Sequence, residues 1–185
     1  MTRHWSRRIA ALPRPGPGNQ YLKGHIAILR RSLRQLTGRD LLDGETTDAA
    51  AAKLLFQAPL VLLSHNRAPD PILTYGNLSA LSLFEMSWEE LTSMPSRLTA
   101  EAPNREERAR LLDQVAAKGY IDDYSGVRIS SKGRRFRIQR ATVWNLTDEN
   151  GGPCGQAATF SEWNPLRGIE SRRRDDQPKP TRPRC

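Results

Sequence analysis

Three runs in the second half of the chain constrain its fold more than any other feature. They begin at Tyr120, Arg134 and Gly155, and the turn signals Lys132-Gly133 and Asn150-Gly151 separate them. The first two alternate apolar with polar residues, so each should show one face to a core and the other to water. They are read as three consecutive antiparallel strands. Upstream, 60–64 (Leu-Val-Leu-Leu-Ser) reads as a buried strand behind Pro59, and 72–75 (Ile-Leu-Thr-Tyr) as another after the Pro69-Asp-Pro turn. Helices are expected between them and the meander. Asn77 caps one that runs to Phe84, and Ser87 with Glu90 forms a capping box for 88–93. Asn104 begins the longest, 105–118, with Leu111, Leu112 and Val115 facing inward and Gly119 closing it. Two strands, several helices, then three strands make an α+β single sheet rather than a βαβ alternation.

Ahead of these elements, Leu22, Ile26, Leu29, Leu33 and Leu36 fall at spacings of four, three, four and three on a helix of about 21–38. Such a stripe packs on its own domain or forms a short dimer seam, and a homodimer is the favoured expectation. A second helix, 48–57, is capped by Thr47 or Asp48. The expected division is a basic, proline-rich, disordered stretch (1–20), N-terminal helices (21–57), the sheet domain (58–163) and a disordered basic tail (164–185).

The net charge of +9 suggests nucleic acid until it is divided along the chain. Residues 1–40 hold nine Lys/Arg against one Asp/Glu, and 164–185 hold seven against three. The middle, 41–163, holds thirteen against sixteen, so the globular part is slightly acidic. A core that gripped phosphates would itself be basic, which leaves nucleic acid only an alternative role through the ends. Cys154 and Cys185 join no metal-ligand set and imply no disulfide framework, and no apolar run is long enough to span a bilayer. A cytoplasmic location without membrane contact is expected.

The order of elements is the layout of PAS domains, and the local sequence resembles the MEKHLA family, a PAS-like group. The blocks that carry the resemblance are Ala58-Pro-Leu-Val-Leu-Leu-Ser-His, Asp70-Pro-Ile-Leu-Thr-Tyr-Gly-Asn, Trp88-Glu-Glu-Leu, Ser96-Arg-Leu-Thr-Ala-Glu, Asn104-Arg-Glu-Glu-Arg, Tyr120-Ile-Asp-Asp-Tyr-Ser-Gly-Val-Arg-Ile-Ser and Gly155-Gln-Ala-Ala-Thr-Phe. They cover about 22–163. The six-letter string that names the family is absent, and nothing here resembles the homeodomain or zipper of the plant members. The resemblance implies a PAS-like five-stranded antiparallel sheet with helices on one face, in which 60–64 lies between 72–75 and 155–161. It also implies a sensory or regulatory role and names no cofactor.

Pairing the first two meander strands across a two-residue Lys132-Gly133 turn puts Asp123 and Arg140 on one otherwise apolar face, with Ile121 opposite Trp144. An acid and an arginine there call for an internal salt bridge, a ligand met by Arg140, or a register that places both outside. On the same reading Ala157 and Thr159 of the third strand face Trp144 and Thr142, and small residues beside large ones leave room for a small molecule. Arg128, Arg135, Arg137 and Gln139 should point to solvent. Arg97 lies in a polar segment and either lines a pocket mouth or holds its loop. The candidate ligand-binding residues are therefore Arg140, Asp123, Trp144, Thr159 and Arg97.

Of His4, His25 and His65, one lies in a tail and one on the N-terminal helix, none is near a plausible serine or cysteine nucleophile, and no phosphate loop occurs. The expected function is a non-catalytic sensory, ligand-binding or protein-interaction module that works through a homodimer or signalling partner. A small-ligand carrier or enzyme using the face around Arg140 is the alternative.

Overall fold

A computed structural model of the protein describes residues 12–166; the flanks at 1–11 and 167–185 lie outside the described residues. The elements are α1 (Lys23–Thr37), α2 (Asp48–Gln57), β1 (Val61–His65), β2 (Leu73–Gly76), α3 (Leu78–Phe84), α4 (Trp88–Ser93), α5 (Ala102–Lys118), β3 (Tyr120–Ile129), β4 (Arg135–Thr147), β5 (Pro153–Phe160) and β6 (Glu162–Pro165). The sheet is antiparallel in the order β2-β1-β5-β4-β3, the order expected. β6 is an addition that straddles the boundary expected between the sheet domain (58–163) and the tail (164–185). The chain bends at Ser161, and β6 pairs with Phe136 to Gln139 of β4, beyond the point where β5 leaves that strand.

Local chemistry explains most boundaries. Asn77 is completely buried yet fully bonded. Its Oδ1 accepts from Ala80 N and Leu62 N, and its Nδ2 donates to Leu55 O and Leu60 O, so one side chain ties α2, β1 and α3 together. Ser87 and Glu90 form the expected capping box. α5 starts earlier than expected, because Pro103 sits in its first turn, where a missing N–H costs nothing. At the far end of α3, the Glu85 carboxylate meets Arg134 and, at 2.6 Å, Ser130 of the β3–β4 turn. Arg134 and then Ser130, by hydrogen bonding, pull its pKa down to about 2.

Helices cover both faces of the sheet. α3, α4 and α5 lie on one side, and α1 crosses the other. Ile26, Leu29 and Leu33 of the apolar stripe are buried there, leaving Leu36 at the edge. Trp144 is fully enclosed beneath α1 and donates from Nε1 to Leu29 O. The stripe is thus covered within its own chain, and a homodimer would need another surface. Residues 12–20, expected to be disordered, lie against the domain: Leu12 O accepts from Trp88 Nε1, and Pro17–Leu22 forms a 3-10 turn.

Two features of the β3–β4 hairpin redirect side chains. The turn has three residues rather than two: Ser130 N donates to Arg134 O, Gly133 N donates to Ser130 O, and Gly133 takes a left-handed φ of 80°. Arg128 therefore opposes Phe136, one position from the expected register. Two bulges follow. Between Ile138 and Ala141 the extra residue is in β4, and between Ile121 and Tyr124 it is in β3. Arg140 (φ 48°) and Asp123 (φ 58°) are the left-handed residues of the two bulges. Each bulge shifts the inside–outside alternation of its strand by one. Phe136, Ile138, Ala141 and Val143 consequently face α5, while Trp144 faces α1.

Candidate functional site

Beneath α5 a small cavity of about 60 Å³ is enclosed by the sheet. Its floor is Ala141, Val143, Ala158 and Phe160, and its roof is Leu111 and Leu112. Ala158 pairs with Leu63 on one side and Val143 on the other, at the centre of the sheet, yet is only half-buried. The short alanine side chain leaves the space. The cavity meets an open cleft of about 760 Å³ between α5, the β1–β2 loop and the end of the β4–β5 hairpin. His65, Arg108, Leu112 and Gln156 line both and form the neck between them.

The neck and cavity walls are charged in an unusual way. Arg128 is buried; it donates from Nη1 to Val127 O at 2.9 Å and from Nη2 to the Tyr124 hydroxyl at 3.2 Å, with its guanidinium carbon 5.3 Å from the Tyr124 ring centre. Gly126 makes this arrangement fit, since a Cβ there would collide with the Tyr124 hydroxyl. Arg108 reaches the same space from α5. Burial and the neighbouring Arg128 charge lower its pKa to about 10, so it stays cationic at neutral pH. Among the described residues, neither arginine forms an ion pair with a carboxylate.

His65 supplies the opposite polarity. Its Nδ1 lies 2.8 Å from Asn66 O, a carbonyl that can only accept, so Nδ1 carries the hydrogen and Nε2 presents a lone pair. That Nε2 is buried without a hydrogen-bond partner. Gln156 is near enough to favour the charged ring, but its amide N–H groups go to Leu112 O and Asn145 Oδ1. Burial, with Arg108 adding to it, lowers the His65 pKa and keeps the ring neutral.

Of the expected site residues, Arg97 alone lines the cleft, and the other four lie away from the cavity. Arg140 points away from the cavity, with its side chain 71% exposed, and pairs with Glu162 of β6. Asp123 is exposed, and the Arg140–Asp123 salt bridge does not form, because both residues are bulge positions. Trp144 and Thr159 face the α1 side. The Thr159 hydroxyl donates to Val61 O, and Thr159 shares only a shallow outer groove with Arg140. Arg97 lies on the cleft rim, bound 3.0 Å from Asp70. The sequence reading missed Arg108, His65 and Gln156, and it sent Arg128 to solvent. The one available signal for Arg128 was Gly126 two residues earlier, since a glycine inside a strand marks a close approach.

One histidine does meet a serine hydroxyl, without making it a nucleophile. His25 Nε2 lies 2.9 Å from Ser64 Oγ, which also bonds Thr74 Oγ1. Ser64 is sealed beneath α1 at 1% exposure, so no substrate reaches it. The pair is a structural tie, and it predicts acid sensitivity. Burial lowers the His25 pKa from 6.5 to about 4. The unfolded chain binds a proton below about 6.5 while the folded one resists until about 4, so stability is complete above that window and falls as pH drops through it. The full shift corresponds to about 3 kcal/mol, and the ring's remaining solvent contact brings the expected loss to about 2 kcal/mol. Urea melts at pH 7 and 4.5 should show this loss in wild type and much less of it in His25→Gln; equal losses would exclude His25 as the source.

Among the described residues no helix is long and apolar enough to cross a membrane, and no three His, Cys, Asp or Glu gather as a metal site. A family model, the MEKHLA domain, matches residues 23–165. Curated relatives include the homeobox-leucine zipper proteins ATHB-9 of Arabidopsis thaliana and HOX32 of Oryza sativa subsp. japonica, each 24% identical to this chain. The matches cover 84% and 80% of this chain but 20% and 17% of the relatives, so the chain spans about a fifth of their length. Similar solved structures include the PAS domain of a protein from Colwellia psychrerythraea, with TM-score 0.52, 14% identity, and coverage of 62% of this chain and 92% of that one. An RNA-binding light-oxygen-voltage receptor aligns with TM-score 0.54 and 18% identity, over 67% of this chain and 36% of that one. These likenesses show a PAS-like fold.

Proposed function

The chain belongs to the MEKHLA domain family, and from that premise we propose that it is a sensory module that takes a small molecule at the neck between the α5 cavity and the cleft, without transforming it. The observation that carries this reading is the half-buried Ala158 at the centre of the sheet, beneath a cavity that opens to the cleft. Strand centres in a domain this small are normally covered, and here the covering helix stands off. The neck adds a buried histidine acceptor and the cation Arg108, and the cavity wall adds Arg128, the few convergent polar groups that ligand sites place in apolar walls. His25 and Ser64 give no access for catalysis, which favours sensing over chemistry. Bound ligand would join α5 to β1 and β5, and β5 pairs with β4, the strand on which α1 rests. That path leads to a partner, or to a second copy through a surface other than the α1 stripe. The setting is proposed to be cytoplasmic.

Ala158→Leu tests the site by filling the cavity. In a thermal-shift screen of chemically diverse metabolites, wild type is expected to respond to at least one compound class and Ala158→Leu to lose that response while staying folded. A screen in which the two proteins respond alike would place the site elsewhere.

A further inference from the structure

We propose, building on the sensory reading above, that the ligand is a small monocarboxylic acid, its carboxylate held between the guanidinium groups of Arg108 and Arg128 and its short apolar body in the α5 cavity. Two cations share one apolar space with no acid among the described residues to neutralise them, an arrangement that costs stability unless an anion joins it. Arg30, the other buried arginine among the described residues, has Asp40, and the clasped Arg134 and Arg135 have Glu85 and Glu101. Arg128 gives one N–H to Val127 O and one to Tyr124, which leaves the remainder of its fork for a ligand. Guanidinium forks match the planar, two-oxygen geometry of a carboxylate.

Size and polarity narrow the class. A cavity of about 60 Å³ admits a few non-hydrogen atoms, and its walls are aliphatic and aromatic, so the body must be short and apolar. The lone pair of His65 Nε2 would repel another anionic oxygen but accepts from an O–H. A fully ionised phosphate or sulfate therefore fits less well than a singly charged acid, and a hydroxyl beside the carboxylate would satisfy His65.

The test uses the full chain at constant ionic strength, with propionate, butyrate and 2-hydroxybutyrate as probes, each against its amide, and with sulfate and inorganic phosphate as further arms. The acids are expected to raise the melting temperature saturably, by about 5 °C, with the 2-hydroxy acid strongest and the amides without effect. Arg108→Met should weaken the acid response at least about tenfold and leave the ligand-free melting temperature equal or higher, because it removes an unpaired charge. Arg128→Met should weaken the response in the same way, and the ligand-free melt reports whether it folds. Amides or phosphate as effective as the acids, or an undiminished response in folded Arg108→Met, would overturn the assignment. If only neutral compounds stabilise wild type, and Ala158→Leu abolishes that effect, the acid is wrong and the sensory site stands. If neither acids nor neutral compounds act at Ala158, both fail.

Discussion

Arg30→Ala is expected to destabilise the protein by about 3–5 kcal/mol, because it removes one partner of a buried ion pair. Arg30 is 2% exposed. Its Nε and Nη2 grip Asp40 Oδ1 and Oδ2 at 3.0 and 2.7 Å, and Nη1 reaches Thr46 O and Asp48 Oδ1 at 3.3 Å. One side chain thus holds the whole connection from α1 to α2 against α1. Burial alone would raise the Asp40 pKa, but the Arg30 hydrogen bonds, the Leu41 N–H and the charges of Arg30 and Arg34 outweigh it and leave the pKa lowered. The pair therefore contributes above the ordinary carboxylate range, and that contribution fades as pH falls below about 4. Arg34, 3.5 Å from Asp40, softens the loss in the mutant, which places the expected value toward the lower end. Replacing both residues with apolar ones, Arg30→Met with Asp40→Leu, should recover much of it. Denaturant melts at pH 7 decide the point: a cost for Arg30→Ala under about 1 kcal/mol would show that Arg34 and water replace the fork.

Trp144→Ala is expected to cost about 3–5 kcal/mol, through lost packing and the cavity left behind. Trp144 is fully buried, and its Nε1–H supplies Leu29 O of α1 at 3.2 Å. Trp144→Phe keeps most of the volume and loses the hydrogen bond, so a cost nearer 1–2 kcal/mol is expected. The two losses should share a signature: earlier hydrogen exchange or proteolysis in α1 than in β1 and β5. If Trp144→Ala leaves α1 as protected as in wild type, α1 is held by its other contacts and this docking account fails.

Local signals made much of the fold legible. Asn77, the Ser87–Glu90 box, Gly119 and the strand alternation act within a few residues, so they place element ends and types wherever they occur. The Thr142–Thr159 and Trp144–Ala157 pairs also followed from the Asn150-Gly151 turn. The miss at the site came from one hairpin. Lys132-Gly133 is a turn signal for either two or three central residues, and the choice moves the β3 side chains from Gly126 to Ile129 to the other face relative to β4. Arg128 was thereby sent to solvent, although it faces the cavity.

The bulges at Arg140 and Asp123 carry no glycine to announce them, and the one at Arg140 moved Trp144, and with it the paired β5 strand's Thr159, away from the pocket. The amino-acid sequence by itself determined the family, the elements, the order of strands and the apolar stripe of α1, because those follow from near-neighbour chemistry and recurring pattern. Only the tertiary structure decided which face each strand residue meets, that α1 covers its own sheet, and that Arg108 of α5 joins Arg128 of β3 and His65 of β1. Those depend on register and on contacts between residues such as Leu29 and Trp144, 115 positions apart. At such separations, a one-residue slip costs the chain almost nothing locally and changes the site entirely.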